Sequence, residues 1–181
     1  MKEYFEDKVL PALSPVMLQN VDTFPLLKDK SIYFAVKLTR AQLKAEYALI
    51  EIPTSTLSRF LVLPEENGTK FIILLDDVIR FCLRDAFSIF HFDSIEAYTI
   101  KLTRDAELDL DNELSQSFLE KISKGVSSRK SGPPVRFVFD KDIPADLFNF
   151  VINNLGLDMD DNLIPGGRYH NFKDFMNFPQ V

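Results

Sequence analysis

Arg168, His170 and Lys173 follow directly on Gly166-Gly167 in the stretch LIPGGRYHNFKDFMNFP, residues 163–179. Guanidinium and ammonium groups make charge-assisted hydrogen bonds to phosphate oxygens, and paired glycines let backbone come close to an anion. The chemistry this suggests is the holding of a phosphate-like anion. The same stretch carries Phe172, Phe175 and Met176 at helical spacing, with Phe178 following. A short helix so apolar wants a partner surface, because burying one phenylalanine stabilises by roughly 1.5–3 kcal/mol. A docking or domain-junction role for Phe172, Phe175 and Phe178 therefore ranks ahead of direct anion contact by Arg168, His170 and Lys173. His170 acting as an acid or base oriented by Asp174 ranks last, since i, i+4 pairs are common on helices and unspecific.

Other candidates fall to plainer readings. Asp105, Glu107, Asp109 and Asp111 recur at two-residue spacing and could offer oxygen ligands to a hard cation, but the glycine and terminal glutamate of an EF-hand are missing. Asp158, Asp160 and Asn162 start such a loop, and Leu163 stands where glycine is needed. Both read as solvated acidic faces, so no metal site is expected. Residues 121–141 hold Lys121, Lys124, Arg129, Lys130, Arg136 and Lys141 against one acid, Asp140. This is a polyanion patch or, ahead of it, a solvated loop around SSRKSGPP. Cys82 falls on the apolar side of its helical pattern, which marks a buried structural thiol. His91, among aromatic neighbours, reads as a packed histidine. No P-loop, dinucleotide fingerprint, kinase signature or zinc spacing is present, so no catalytic residue is assigned.

These residues need elements to carry them. At 181 residues the chain fits one domain, and 46% hydrophobic with 27% charged residues suits a globular body. The net charge of −6 argues against nucleic acid as a partner, so any anion site must be local. A single cysteine suits a reducing compartment, and no apolar run is long enough to span a bilayer. The default is the cytoplasm.

The pattern predicts a helix over 2–13, strands at SIYFAVKLT and EYALIEIPT, and a hairpin turning at Asn67-Gly68. Helical spacing follows over LLDDVIRFCLRDAF, then a strand at EAYTIKLTRDAEL and a helix from Ser115 to Ser128. PVRFVFD is a strand, and PADLFNFVINNLG is a helix framed by Pro144 and Gly156. The expected fold is α+β: a mainly antiparallel sheet, built as a four-strand meander plus two further strands, with helices over one face.

Six blocks, in order and across nearly the whole chain, resemble the middle (head) domain of bacterial polyphosphate kinase. They are FEDKVLPALSPV, FPLLKDKSIYFAVKL, IILLDDVIRFCL, EAYTIKLTRDAELDLDNELS, GPPVRFVFDKDIP and IPGGRYHNFKDFMNFP. The resemblance implies a fragment, residues 1–181, that ends at the junction to C-terminal domains related to the phospholipase D fold. Family members transfer the γ-phosphoryl group of ATP reversibly to inorganic polyphosphate through a phosphohistidine. That histidine and the main magnesium and ATP residues belong to the C-terminal domains; their motifs are absent here, and His170 does not match the phosphorylated histidine. No cofactor is therefore expected in this chain. The implied role is a non-catalytic scaffold and dimerisation domain. Its partners would be the N-terminal and C-terminal domains and a second copy of the enzyme, with membrane association of the parent left open. The alternative is a polyphosphate-binding module using basic residues of 121–141 and 168–173.

Overall fold

The computed structural model describes residues 1–104, 134–157, 162–170 and 172–180. The expected helix at 115–128, the acidic run from Asp105 to Asp111, Asp158, Asp160 and the basic residues from Lys121 to Lys130 lie outside them.

Among the described residues eight strands form: β1 (Val16–Met17), β2 (Ile32–Thr39), β3 (Glu46–Glu51), β4 (Phe60–Val62), β5 (Ile72–Leu74), β6 (Ser94–Arg104), β7 (Pro134–Asp140) and β8 (Leu163–Gly166). The described helices are α1 (Lys2–Tyr4), α2 (Leu75–Phe81), α3 (Leu83–Ala86) and α4 (Ala145–Leu155). After α1 a wide turn over Phe5–Val9 and a tight one over Leu10–Ala12 carry the chain on, so the helical run stops beside Pro11 as the sequence predicts. The main sheet runs β1-β3-β2-β6-β7-β8, and β4-β5 stand apart as a hairpin. The fold is α+β.

The four-strand meander does not form. β2 and β3 pair in antiparallel register, yet β2 takes β6 on its other side, with Phe34 opposite Thr99 and Ile32 opposite Lys101. The other edge of β3, where β4 would have continued a meander, is taken by β1, whereas β4 and β5 are three residues each and satisfy one another. Their turn is the one expected, with Asn67 at φ 52° and Gly68 at φ 78°.

Helices cover both faces, again unlike the expectation. Alternation sends Ile32, Phe34, Val36 and Leu38 of β2 to one side, where Phe5, Val9, Val78, Ile79, Cys82 and Phe87 pack on them. Tyr33 and Ala35 go to the other side and meet Leu147, Val151 and Ile152 of α4. An alternating strand usually marks one wet face; here both sets are apolar enough to be buried. Cys82 is buried as predicted, while His91 is exposed, a correction to its reading as a packed residue.

Two strands are absent from the expectation. β1 is two residues long, and β8 contains Pro165 and ends on Gly166, both poor strand formers. β8 nevertheless runs parallel to β7, Phe139 opposite Pro165, at the sheet's edge where a missing N–H is tolerated. Gly156 ends α4 in the left-handed conformation at φ 68°, with Leu157 N donating to Ile152 O. That stop starts the return of the chain to β8.

Candidate functional site

Beyond β2 the first face of the sheet changes character. Lys101 and Thr103 of β6, Arg136 and Val138 of β7 and Ile164 of β8 line it, and the chain leaving β8 folds over them in place of a helix. A groove of about 330 Å³ lies between. Gly166 permits the close turn: a Cβ there would stand 3.1 Å from Val138 Cγ1 and 3.3 Å from His170 Nε2.

The returning chain is held by charged and polar groups. Asp174 Oδ2 accepts from Arg59 Nη1 at 2.6 Å, and Arg59 Nη2 donates to the buried Asp76 at 2.7 Å. Tyr169 OH donates to Asp77 Oδ2 at 2.9 Å, and Thr99 Oγ1 donates to Arg168 O at 2.8 Å. Arg80 fixes Thr99 in turn, donating to its Oγ1 at 2.5 Å while its guanidinium lies 4.3 Å over the Phe34 ring. Burial pushes the Asp76 carboxyl up against the pull of Arg59, and burial, then Arg168, lowers Arg80. Desolvation thus dominates this network, so each ion depends on its partner.

The aromatic residues take a geometry that α-helical spacing does not anticipate. Phe172–Asn177 is a 3₁₀ helix, in which side chains three apart eclipse one another. Phe172, Phe175 and Phe178 form a ladder with ring centroids 6.0 Å apart at each step. Phe60 sets its edge against Phe175 and Phe178, both at 5.2 Å. The ladder's outer side stays in solvent: Phe172 is 68% exposed, Phe175 47%, Met176 87% and Phe178 46%.

Arg168 reaches Asp77 at 3.8 Å with its guanidinium more than half exposed, and Lys173 is exposed. His170 is 6% exposed; its Nε2 donates to Gly167 O at 3.0 Å, which leaves Nδ1 without a partner among the described residues. Burial pulls its pKa down to about 4. The three residues singled out for anion contact therefore diverge: one is buried, one is paired, one is in solvent. Sequence reasoning missed Arg59, Asp76, Asp77, Arg80, Thr99 and Lys101. The available signal was Asp76 inside an apolar helical pattern, a position where a charge needs a partner.

Residues 1–178 match the family model described as the polyphosphate kinase middle domain. The chain belongs to that family. It is 49% identical over 183 residues to the polyphosphate kinase of Vibrio vulnificus (strain YJ016), covering 99% of this chain and 26% of the relative. To the polyphosphate kinase of Escherichia coli (strain K12) it is 40% identical over 185 residues, covering 100% of this chain and 27% of that one. The chain thus spans about a quarter of the length of these relatives. In fold it is similar to the crystal structure of polyphosphate kinase from Porphyromonas gingivalis, with TM-score 0.73 at 24% identity over 99% of this chain and 24% of that one.

The magnesium implied for the parent enzyme finds no fit in this family member's described residues. No cluster of three or more metal-capable side chains occurs among them, and Asp76, Asp77 and Asp174 all face arginines. No described helix is long and apolar enough to cross a membrane.

Proposed function

We propose that this chain is the non-catalytic scaffold and dimerisation domain of a polyphosphate kinase, a body on which the rest of a longer polypeptide docks. The parent enzyme transfers the γ-phosphate of ATP reversibly to inorganic polyphosphate through a phosphohistidine outside this chain, with magnesium and ATP held by its other domains, in the cytoplasm. The observation carrying this reading is the phenylalanine ladder, anchored from beneath by Arg59–Asp174 and open above. Roughly 1.5–3 kcal/mol per ring becomes available when such a surface is covered. The two histidines support it: His170 is buried with one ring nitrogen committed to Gly167, and His91 lies exposed in a small pocket with Arg40 and Lys44.

Two measurements test it. The purified chain should show no ATP–polyphosphate phosphotransferase activity, and in the full-length enzyme Phe175→Ala with Phe178→Ala should lower kcat at least tenfold. Sustained turnover by the chain alone, or full activity of the double variant, would remove the reading. Sedimentation equilibrium over rising concentration tests pairing of two copies.

The alternative, polyphosphate binding through basic residues of 121–141 and 168–173, draws on one observation: Arg136 and His170 line a common groove.

A further inference from the structure

We propose that the phenylalanine ladder is the seat of an α-helix. That helix belongs to the same polypeptide outside residues 1–181, sets apolar side chains four residues apart between the rings, and carries a carboxylate beside Lys173. This rests on the docking reading above and names the occupant which that reading leaves open.

The columns of the 3₁₀ segment decide which surface is on offer. Side chains three residues apart eclipse, so the segment presents three columns. Phe178 N donates to Phe175 O, which carries the repeat one residue past the helix. One column starts at Asp174 and turns inward to Arg59. The second is Phe172, Phe175 and Phe178. The third holds Lys173 and Met176, both in solvent, and an unbranched methionine adapts readily to whatever covers it. The apolar surface also continues sideways. Alternation puts Phe60, Val62 and Ile72 on one face of the β4–β5 hairpin, while Leu61 and Ile73 pack into the core from the other. Phe60 meets the ladder edge-on, and Val62, two residues further, is 46% exposed.

Two features select a helix. Rings and a thioether offer no main-chain partners, so an extended segment laid on them would leave its own N–H and C=O groups against apolar surface with nothing to pair. A helix satisfies its backbone internally and meets that surface with side chains alone. The spacing agrees. Successive rings stand 6.0 Å apart, and residues i and i+4 of an α-helix advance about 6 Å along its axis. Two side chains of such a row therefore drop into the two gaps of the ladder, ridge into groove.

Charge and length fix the partner further. Lys173 is exposed and Arg168 more than half exposed, while Asp174, the one acid among the described residues of 162–180, is engaged by Arg59. A carboxylate on the incoming helix complements that rim. A second copy does not supply it from the described residues. There α4 exposes Asp146, Asn149 and Asn153, α2 exposes Phe81 as its one apolar side chain, and no α-helix exposes two apolar residues four apart. Relatives such as the Vibrio vulnificus enzyme are about four times longer, with this chain matching 26% of the length.

The test is photo-cross-linking in the full-length enzyme with Met176→benzoylphenylalanine. The product should run at single-chain mass on a denaturing gel. Its captured peptide should lie outside residues 1–181, carry apolar residues at i and i+4 with a carboxylate near them, and show slow amide exchange across the whole segment. Lys173→Glu should speed chymotrypsin cleavage after Phe175 at least fivefold, whereas Lys44→Glu, remote and exposed, should change it less than twofold. Changing the captured carboxylate to lysine should bring the Lys173→Glu rate back to within twofold of the parent. Capture of a segment with strand alternation, or a Lys173→Glu rate that the charge swap leaves unrestored, would overturn the helix and leave the docking reading standing. A product of doubled mass, or capture within residues 1–181, would overturn the source named here. No capture, with the ladder cleaved equally fast in the full-length enzyme and in the isolated chain, removes both.

Discussion

The first face of the sheet is covered by two kinds of material. Over β2 and β3, the N-terminal helical run and α2–α3 close it with apolar side chains: Phe5, Val9, Ile79 and Phe87 against Phe34 and Ile50. Over β6–β8 the cover is a strap formed by residues 166–170 and 172–178, pinned by Arg59, Asp76, Asp77, Arg80 and Asp174 and carrying an exposed phenylalanine ladder. Apolar closure is non-directional and tolerates sliding, whereas a buried ion pair fixes one geometry and fails abruptly when a partner is lost. The first half is closed by apolar packing; the second is fixed by ion pairs and leaves aromatic surface in solvent. Phe34 joins them, packing in the apolar cluster on one side and beneath the Arg80 guanidinium on the other.

Removing one pin should separate the halves most sharply. Arg59→Ala leaves Asp76 as an unpaired buried charge, at a cost of about 3–5 kcal/mol in urea unfolding. It should also expose the peptide bonds around Phe175 to limited chymotrypsin cleavage. Leu147→Ala, in the apolar layer under α4, costs a similar 2–5 kcal/mol by cavity formation, but should leave the strap's cleavage rate near that of the parent. Equal cleavage in both variants would show that the strap follows global unfolding and is not a separately pinned unit.

Acid should loosen the strap half first. The folded chain protonates His170 near pH 4 and the unfolded chain near 6.5, so unfolding takes up a proton between those values. Its contribution is fully present above about pH 6.5 and is lost as pH falls towards 4, on the order of 3 kcal/mol in all. Urea midpoints at pH 7 and pH 4.5 should differ more for the parent than for His170→Gln. Parallel pH profiles for the two chains would place the acid sensitivity elsewhere.

Trimming the ladder should cost little in the chain alone. Phe175→Ala loses its edge contact with Phe60 and its stacked neighbours, about 1–2 kcal/mol, because half the ring already meets water. A larger loss would mean that the ring belongs to this chain's own core.

The smallest effect should come from an ion pair of nearly the same length as Arg59–Asp76. Lys37 Nζ lies 2.6 Å from Asp146 Oδ2 at the rim of the apolar half, where the carboxylate side chain is 46% exposed. Asp146→Asn should cost under about 1 kcal/mol and be masked by salt. Burial, not distance, separates the two pairs.

Much of this was legible along the chain. Strict alternation in β2 and β3, the Asn67-Gly68 turn, and Pro144 and Gly156 around α4 are local signals, written in consecutive residues and obeyed in the fold. The surplus of aromatic surface on Phe172, Phe175 and Phe178 was visible too, because one short segment cannot bury several phenylalanines by itself. What misled was inference from local pattern to partnership. Four strands in succession suggested a meander, but the edge of β3 that β4 would have taken pairs with β1, and β4 and β5 pair only with each other.

The sequence by itself determined which segments alternate, where the chain turns, and the presence of surplus aromatics and cations near residue 170; these depend on neighbours a few residues apart. Only the tertiary structure decided that Arg59 would meet Asp76 and Asp174, that Lys101 and Arg136 would share a groove, and that His170 would be buried beside them. Those meetings join residues far apart in the chain, and a charge carries no mark of its partner until the sheet order brings the two within hydrogen-bonding distance.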